Sequence, residues 1–437
     1  MLELIAAWMM SITPSPPLLR STNLSDWVAE VPLQALLEPQ TRPDEAALRD
    51  LQAYLDVLER YGWATEGQGV WLQSGQDVLA QNQGKVPLPA ASLTKIATTL
   101  VALDRWGSDY QFVTRISAIG TLENGVLQGD LVVQGGGNPL FVWEEAIAVA
   151  NQLQDLGIER VAGQLIVTGP FFMNYELDPI VAGTLLLQAF DGALWGNEIA
   201  QQYALMPAET PRPSITIEGG VAALGSAQVE RLSPRPLVNH SSLRLAQLLK
   251  LMNLYSNNFM ADLLGDMLGG GAALSRRSSE LTGVPTDEIQ LANGSGLGVE
   301  NQLSARAATA MLRAIQARLR PWDLGVVDVF PVAGLDRGTL KGRKLPPDTA
   351  VKTGTLATVS ALAGALPTRD RGLVWFSIIN FGSNLVELRA QQDYLLQALA
   401  QVWGEAETGD LPPQRQRPAA VLGDPARVEA AAEALNF

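Results

Sequence analysis

The 437-residue chain has no cysteine and a single histidine, His240. Without cysteine there is no disulfide, no thiolate nucleophile, no iron–sulfur cluster and no cysteine-ligated zinc. One histidine excludes a multi-histidine metal site and leaves one candidate for a serine–histidine–aspartate triad. No carboxylate and nucleophile pattern surrounds His240, so a capping or surface position is expected for it. Positive charge is also scarce: 31 Lys plus Arg against 45 Asp plus Glu leave a net charge of −14. That balance argues against nucleic-acid binding, which draws its affinity from Lys and Arg on phosphates. No apolar run reaches the roughly 18 residues needed to cross a bilayer, so no integral membrane segment is expected.

Lysine is the rarest charged residue. Only Lys85, Lys95, Lys250, Lys341, Lys344 and Lys352 occur. Arginine stays protonated in proteins, so these six are the only cationic side chains that can also act as bases. The rest of the composition is that of a folded protein. Hydrophobic residues make up 47% and charged residues 17%, enough for sizeable cores in up to about three domains.

The first twelve residues, MLELIAAWMMSI, have the apolar character of a secretory signal. However, no Lys or Arg precedes Arg20 and no A-x-A site follows. Export and an N-terminal helix packed on the core remain alternatives. Pro14 to Pro17 reads as a linker, so residues 1–26 are set apart as an apolar segment and linker. In 44–62, Leu48, Leu51, Leu55, Leu58 and Tyr61 share one helical face. Residues 67–82 alternate around Ser74-Gly75-Gln76 as a β-hairpin. Residues 89–107 form a helix with Ser92 in its first turn. Between 111 and 232, short β-rich runs alternate with glycine-rich turns around one helical segment, 144–157. Helical spacing returns in 241–269 and 304–318, three strand-like runs fill 349–382, and an amphipathic helix covers 385–403. The chain therefore reads as one discontinuous α/β domain, 27–110 with 233–404. An inserted α/β or β-rich domain occupies 111–232, and 405–437 forms a loose tail.

Three short motifs carry chemistry. Ser92-Leu93-Thr94-Lys95 is an S-x-x-K. On a helix, positions i and i+3 share a face, so the Ser92 hydroxyl meets the Lys95 amine. A hydroxyl needs an adjacent base to become a nucleophile, and a lysine serves if burial or another cation lowers its pKa. Ser256-Asn257-Asn258 is an S-x-N between two helical runs. Ser256 is placed to shuttle a proton between Lys95 and a leaving amine, and Asn258 to orient Lys95 and a substrate carbonyl. Lys352-Thr353-Gly354-Thr355 lies in a strand-like run, where alternation puts Lys352 and Gly354 on one face. Lys352 supplies a fixed positive charge, and Gly354 admits an extended substrate backbone. The Thr355 N–H pairs with that of Ser92 as an oxyanion hole. Each motif alone is common: a helix surface, a polar helix break, a strand end. Ser21-Thr22-Asn23 repeats S-x-N by chance in the linker. Together, in this order and in these contexts, they form the set of β-lactamases and penicillin-binding proteins.

Longer segments extend the likeness. PAASLTKIATTLVAL (89–103), GDLVVQGGGNPLF (129–141), LLKLMNLYSNNFMADLL (248–264), NGSGLGVENQLSARA (293–307), FPVAGLDRGTLKGR (330–343) and VKTGTL (351–356) follow one another. With them the chain resembles the penicillin-binding protein 4-type D-alanyl-D-alanine carboxypeptidases over about residues 50–400. The resemblance implies a DD-peptidase/β-lactamase-like fold: an antiparallel sheet flanked by helices, with an insertion between S-x-x-K and S-x-N. The 164 residues from Ser92 to Ser256 are few for the family's fullest members, which implies an insertion lacking a subdomain. The resemblance also implies a serine carboxypeptidase acting on peptidoglycan peptides ending in D-Ala-D-Ala, with endopeptidase activity as a second specificity. Ser92 would attack the penultimate D-Ala carbonyl, water would hydrolyse the acyl-enzyme, and β-lactams would acylate Ser92 as mimics. It implies no metal or organic cofactor, and a periplasmic or cell-envelope location. A β-lactamase-like hydrolase and a non-catalytic peptidoglycan-binding module stay as alternatives. Asp336 and Arg337 are expected in a loop salt bridge rather than the cleft, and the tryptophans, Trp71, Trp106, Trp143 and Trp195 among them, in the core.

Overall fold

The computed structural model describes residues 19–21, 40–406, 415–417 and 420–432. The apolar segment 1–12, the Pro14–Pro17 linker and most of 405–419 lie outside the described residues. The principal elements, in chain order, begin with helix α1 (Glu45–Arg60), strands β1 (Gln68–Ser74) and β2 (Asp77–Asn82), and helix α2 (Thr94–Trp106). Then come β3 (Val113–Glu123), β4 (Val126–Gln134), α3 (Trp143–Asp155), β5 (Leu165–Thr168), α4 (Pro179–Phe190) and β6 (Arg235–Ser241). Helices α5 (Leu245–Tyr255), α6 (Asn258–Met267), α7 (Gly270–Thr282) and α8 (Ala305–Leu319) follow. Strands β7 (Ala350–Leu356), β8 (Val359–Thr368) and β9 (Gly372–Phe381), helix α9 (Leu385–Trp403) and strand β10 (Val428–Ala430) complete the series.

The described chain forms two compact units. One contains 110–244 and 420–432; the other contains 19–21, 40–109, 245–406 and 415–417. The second unit is built on a sheet in the order β7-β8-β9-β1-β2, antiparallel throughout, with Gln40–Thr41 added in parallel at the β2 edge. Strand alternation divides its side chains between two faces. Val70, Leu72, Val351, Leu362, Val374, Phe376 and Ile378 join α1 and α9 in one core. Trp71 points the other way, against Ala305 of α8. On that second face β8 carries Ala361, Ala363 and Ala365 between Val359 and Pro367, and the three alanines are small enough to let the turn before α2 approach the sheet.

Helix α1 starts at Asp44, whose carboxylate accepts from the Ala47 N–H at 2.9 Å, an N-cap that satisfies an otherwise orphaned donor. Its buried stripe is Ala47, Leu51, Tyr54, Leu55 and Leu58. Leu48 and Tyr61, expected on that face, are 44% and 50% exposed. The true face is turned toward Ala47 and Tyr54, because Tyr54 reaches inward to donate to Asn380 Oδ1 at 2.9 Å.

In the other unit, β3 and β4 form an antiparallel hairpin, β4 pairs in parallel with β5, and β6 closes on β3. Helices α3 and α4 bury Trp143, Ile147, Leu153, Leu186 and Phe190 over this sheet. The sheet extends past residue 232, because β6 pairs with β3 from Arg235 to Ser241. Residues 420–432, which composition alone assigns to a loose tail, return here as β10 on the free edge of β6. Three ladder pairs and one buried side chain, Val428, hold that strand, too short a pattern to register in the sequence.

Candidate active site

Ser92 sits in a 3₁₀ turn, Ala91–Leu93, that runs directly into α2. The turn rests against β7 and β8. Gly354 makes that contact possible: a Cβ there would lie 2.9 Å from the Ala90 carbonyl oxygen and 3.2 Å from the Ala91 Cβ. Its missing side chain therefore makes room for the chain's own nucleophile turn, a role different from the substrate clearance read from the motif. Ala91 takes φ +48°, a left-handed conformation that strains a residue with a Cβ and persists only where its surroundings hold it. Loop 291–301 supplies part of that hold, because the Asn301 carbonyl accepts the Ala90 N–H at 2.9 Å.

Lys95, one turn on, is fully buried. Its Nζ lies 3.0 Å from Ser92 Oγ, 2.8 Å from Asn258 Oδ1 and 2.8 Å from the Ser295 carbonyl. Burial pushes its pKa down to about 7, against a smaller upward pull from Asp262. The partners match a neutral amine. Asn258 Oδ1 and Ser295 O can only accept, so they take its two N–H groups. In the neutral form its lone pair then faces the Ser92 hydroxyl, the one partner that can donate; in the ammonium form the third N–H goes to Ser92 Oγ.

Ser256 lies between α5 and α6 and also adopts a left-handed φ, +52°. Asn257 caps α6 by accepting the Met260 N–H, which explains a side chain pointing away from the site. Lys352 is fully buried on β7, and its Nζ donates to Ser256 Oγ at 3.0 Å and to the Thr353 carbonyl at 2.7 Å. Burial, reinforced by the neighbouring Lys95, holds its pKa well below the usual lysine value. Its charge is therefore conditional rather than fixed. Ser256 Oγ and the Thr353 carbonyl are both neutral acceptors, and an approaching carboxylate would favour the ammonium form.

β7 is an edge strand: β8 covers one side only. The Val351 N–H points to the other side, where it donates to the Pro331 carbonyl at 2.9 Å. Backbone direction repeats every second residue, so the N–H groups of Thr353 and Thr355 face that same open edge. The Thr355 hydroxyl, by contrast, accepts from Arg389 of α9 at 2.9 Å. Thr355 thus offers the cleft its amide and not its side chain.

Two contributors escaped the motifs. The Ser295 carbonyl holds Lys95, and Asp262 Oδ1 holds the Ser295 N–H at 2.8 Å. Asp262 lies four residues after Asn258, a helical spacing that puts both on one face of α6. The glycines flanking Ser295 were the other visible signal. Gly296 has φ +80°, and a Cβ there would come within 1.9 Å of the Ala91 carbonyl oxygen.

Other residues take structural roles. Asp336 pairs with buried Lys250 at 2.6 Å, and Lys250 also donates to the carbonyls of Val327 and Phe330. Arg337 is exposed. His240 is neither a cap nor on the surface: it is fully buried on β6, with Nε2 2.6 Å from Glu145, which also binds Arg427. The insertion core encloses it through Phe141, 5.0 Å away ring to ring. Trp71 and Trp143 are buried and Trp195 packs on the insertion core, but Trp106 is only half-buried and Trp322 is 50% exposed, so not every tryptophan lies in the core. Among the described residues no group of acidic or histidine side chains could hold a metal ion, and no helix is long and apolar enough to cross a membrane.

A family model described as D-Ala-D-Ala carboxypeptidase 3 (S13) matches residues 55–179 and 209–402. A carboxypeptidase of Mycobacterium tuberculosis is 26% identical over 397 residues, covering 77% of this chain and 79% of the relative. The penicillin G-acylated predatory endopeptidase of Bdellovibrio bacteriovorus, solved with its immunity protein, superposes with a TM-score of 0.71 at 21% identity. That alignment covers 83% of this chain and 99% of the other. Penicillin binding protein 4 of Haemophilus influenzae, complexed with a β-lactam, gives a TM-score of 0.60 at 18% identity, covering 81% and 99%. These structures share the fold of this chain.

Proposed function

The chain belongs to the D-Ala-D-Ala carboxypeptidase 3 (S13) family, a family of serine peptidases, and we propose that Ser92, Lys95, Ser256, Asn258 and Lys352 form its catalytic centre. On this reading it removes the terminal D-Ala from peptidoglycan peptides ending in D-Ala-D-Ala. The observation that carries the assignment is the Lys95 amine, buried, held by two obligate acceptors and aimed at Ser92 Oγ.

Neutral Lys95 takes the Ser92 proton as Oγ attacks the penultimate D-Ala carbonyl carbon. The N–H groups of Ser92 and Thr355 receive the developing oxyanion. The tetrahedral species collapses with cleavage of the C–N bond. Ser256 passes a proton to the leaving nitrogen and is reprotonated from Lys95. Terminal D-Ala departs and leaves an ester on Ser92, and Lys95 is again neutral. Water then attacks that ester and gives a proton to Lys95, which passes it to the departing Ser92 Oγ, so the shortened peptide leaves with Ser92 again a hydroxyl and Lys95 again neutral. Lys352 meets the substrate's terminal carboxylate, and Thr353 and Gly354 complete the β7 edge along which the peptide lies. A β-lactam presents an acyl carbon and a carboxylate in the same relation, so it acylates Ser92 in the same way.

Release of D-Ala from a pentapeptide substrate tests the assignment. Ser92→Ala abolishes it; release at the wild-type rate from that variant sinks the mechanism. Because the substrate is a cell-wall polymer, the site of action is the cell envelope. Cell fractionation that recovers the protein with cytoplasmic markers contradicts that placement.

A further inference from the structure

One face of helix α6 controls both acceptors of the Lys95 amine. Asn258 binds the amine directly. One turn further, Asp262 Oδ1 accepts the Ser295 N–H at 2.8 Å, and the Ser295 carbonyl takes a Lys95 N–H at 2.8 Å. Ser295 is fully buried. Its loop is pinned from a second side by Thr98 of α2, whose hydroxyl donates to the Gly294 carbonyl at 2.7 Å. The Ser295 carbonyl therefore stands at a fixed point between α2 and α6. Asp262 is the charged member of that mount, and it is not fully buried.

We propose that Asp262 is a positioning residue for the catalytic base: it pins the Ser295 carbonyl onto Lys95 and supplies the anionic charge that acts on that amine. The inference rests on Lys95 being the base. Among the described residues, the charged groups that act on this amine or are acted on by it are Asp262 and Lys352. Arg277 and Arg318 both pair with Asp104, toward the far end of α2. A carboxylate near an ammonium favours the protonated form. Asp262 thus opposes the effect of burial and raises the pH above which Lys95 is neutral and can accept the Ser92 proton. Removing the charge lets Lys95 become a base at lower pH.

The test is the pH profile of acylation by a fluorescent penicillin, measured on the full chain between pH 5 and 9. The wild type is expected to show an acidic limb with its midpoint near the pKa of about 7. Asp262→Asn keeps an oxygen to accept the Ser295 N–H and loses only the charge. Its midpoint is expected to fall by about half a pH unit or more. Asp262→Glu keeps the charge and is expected to keep the wild-type midpoint. If the Asn variant does not fold, Asp262→Ser reads the same loss of charge. A purely structural role would change melting temperature and plateau rate while leaving the midpoint in place. An unmoved midpoint in the uncharged variants, with the wild-type limb present, overturns the role of Asp262 and leaves the base assignment standing. A wild-type profile with no acidic limb, together with acylation of Lys95→Arg, overturns the base assignment and this inference with it.

Discussion

Alanine at Gly296 perturbs the site from outside the chemistry. Its Cβ would stand 1.9 Å from the Ala91 carbonyl oxygen and 2.7 Å from Thr94 Oγ1. An ordinary carbon–oxygen contact needs roughly 3.3 Å, so the two segments must separate by roughly 1.4 Å. Ala91 precedes the nucleophile, and Gly296 follows the residue whose carbonyl holds Lys95. The displacement therefore falls on the Ser92–Lys95 pair, now 3.0 Å apart. A misplacement of about 1 Å lowers a rate by about 100-fold. Gly296 also has φ +80°, and alanine in that region costs about 1 kcal/mol. Gly62 separates the two effects: it has the same φ, +80°, with nothing within 4 Å of its Cβ position. Both variants are expected to lose roughly 2–4 °C of melting temperature from the backbone strain. Only Gly296→Ala is expected to slow acylation by a fluorescent penicillin about 100-fold. If it acylates within a few-fold of Gly62→Ala, the packing of loop 291–301 against the Ser92 turn does not set the catalytic geometry.

Lys95→Arg should abolish acylation, because a guanidinium does not give up its proton in this pH range; stopped-flow acylation at pH 8 reads this directly, and retained acylation removes Lys95 as the base. Lys352→Ala should slow both D-Ala release and penicillin acylation while leaving the circular dichroism spectrum intact, and unchanged rates take Lys352 out of the site. Lys95 also links stability to pH. Its folded-state pKa is lowered from 10.5 to about 7, so between those values the unfolded chain binds more protons and stability rises with pH. The rise is up to about 1.4 kcal/mol per pH unit from this group, with Lys352 contributing in the same direction. Lys95→Met should remove the Lys95 part of that rise in urea melts at pH 7 and pH 9; an equal rise in wild type and variant contradicts the lowered pKa.

The three motifs were legible because each depends on local geometry. Ser92 and Lys95 meet through one helical turn, Asn258 opens the helix after a polar break, and strand alternation aims Lys352 to one face of β7. The terminal three strands were equally clear, since β8 is buried along its whole length and its neighbour β9 carries a matching apolar run. Asp262 and Ser295 were not legible as site residues. Their role exists only once loop 291–301 folds back onto α2, 200 residues away in the chain, and onto α6, 33 residues away. His240 was misplaced for a similar reason: its partner Glu145 lies 95 residues before it, and Arg427, which binds the same carboxylate, lies 187 residues after it. Gly354 was read correctly as a point of close approach, but the approaching backbone belongs to the protein itself.

The central claim is that Ser92 is the nucleophile of a serine peptidase that β-lactams acylate. Time-resolved mass spectrometry of the intact protein after penicillin treatment, followed by peptide mapping, tests it most directly. The account predicts a one-to-one adduct of unchanged penicillin mass, long-lived and located on Ser92. No adduct, an adduct on another residue, or rapid conversion of the drug to penicilloate with the protein left unmodified would contradict it.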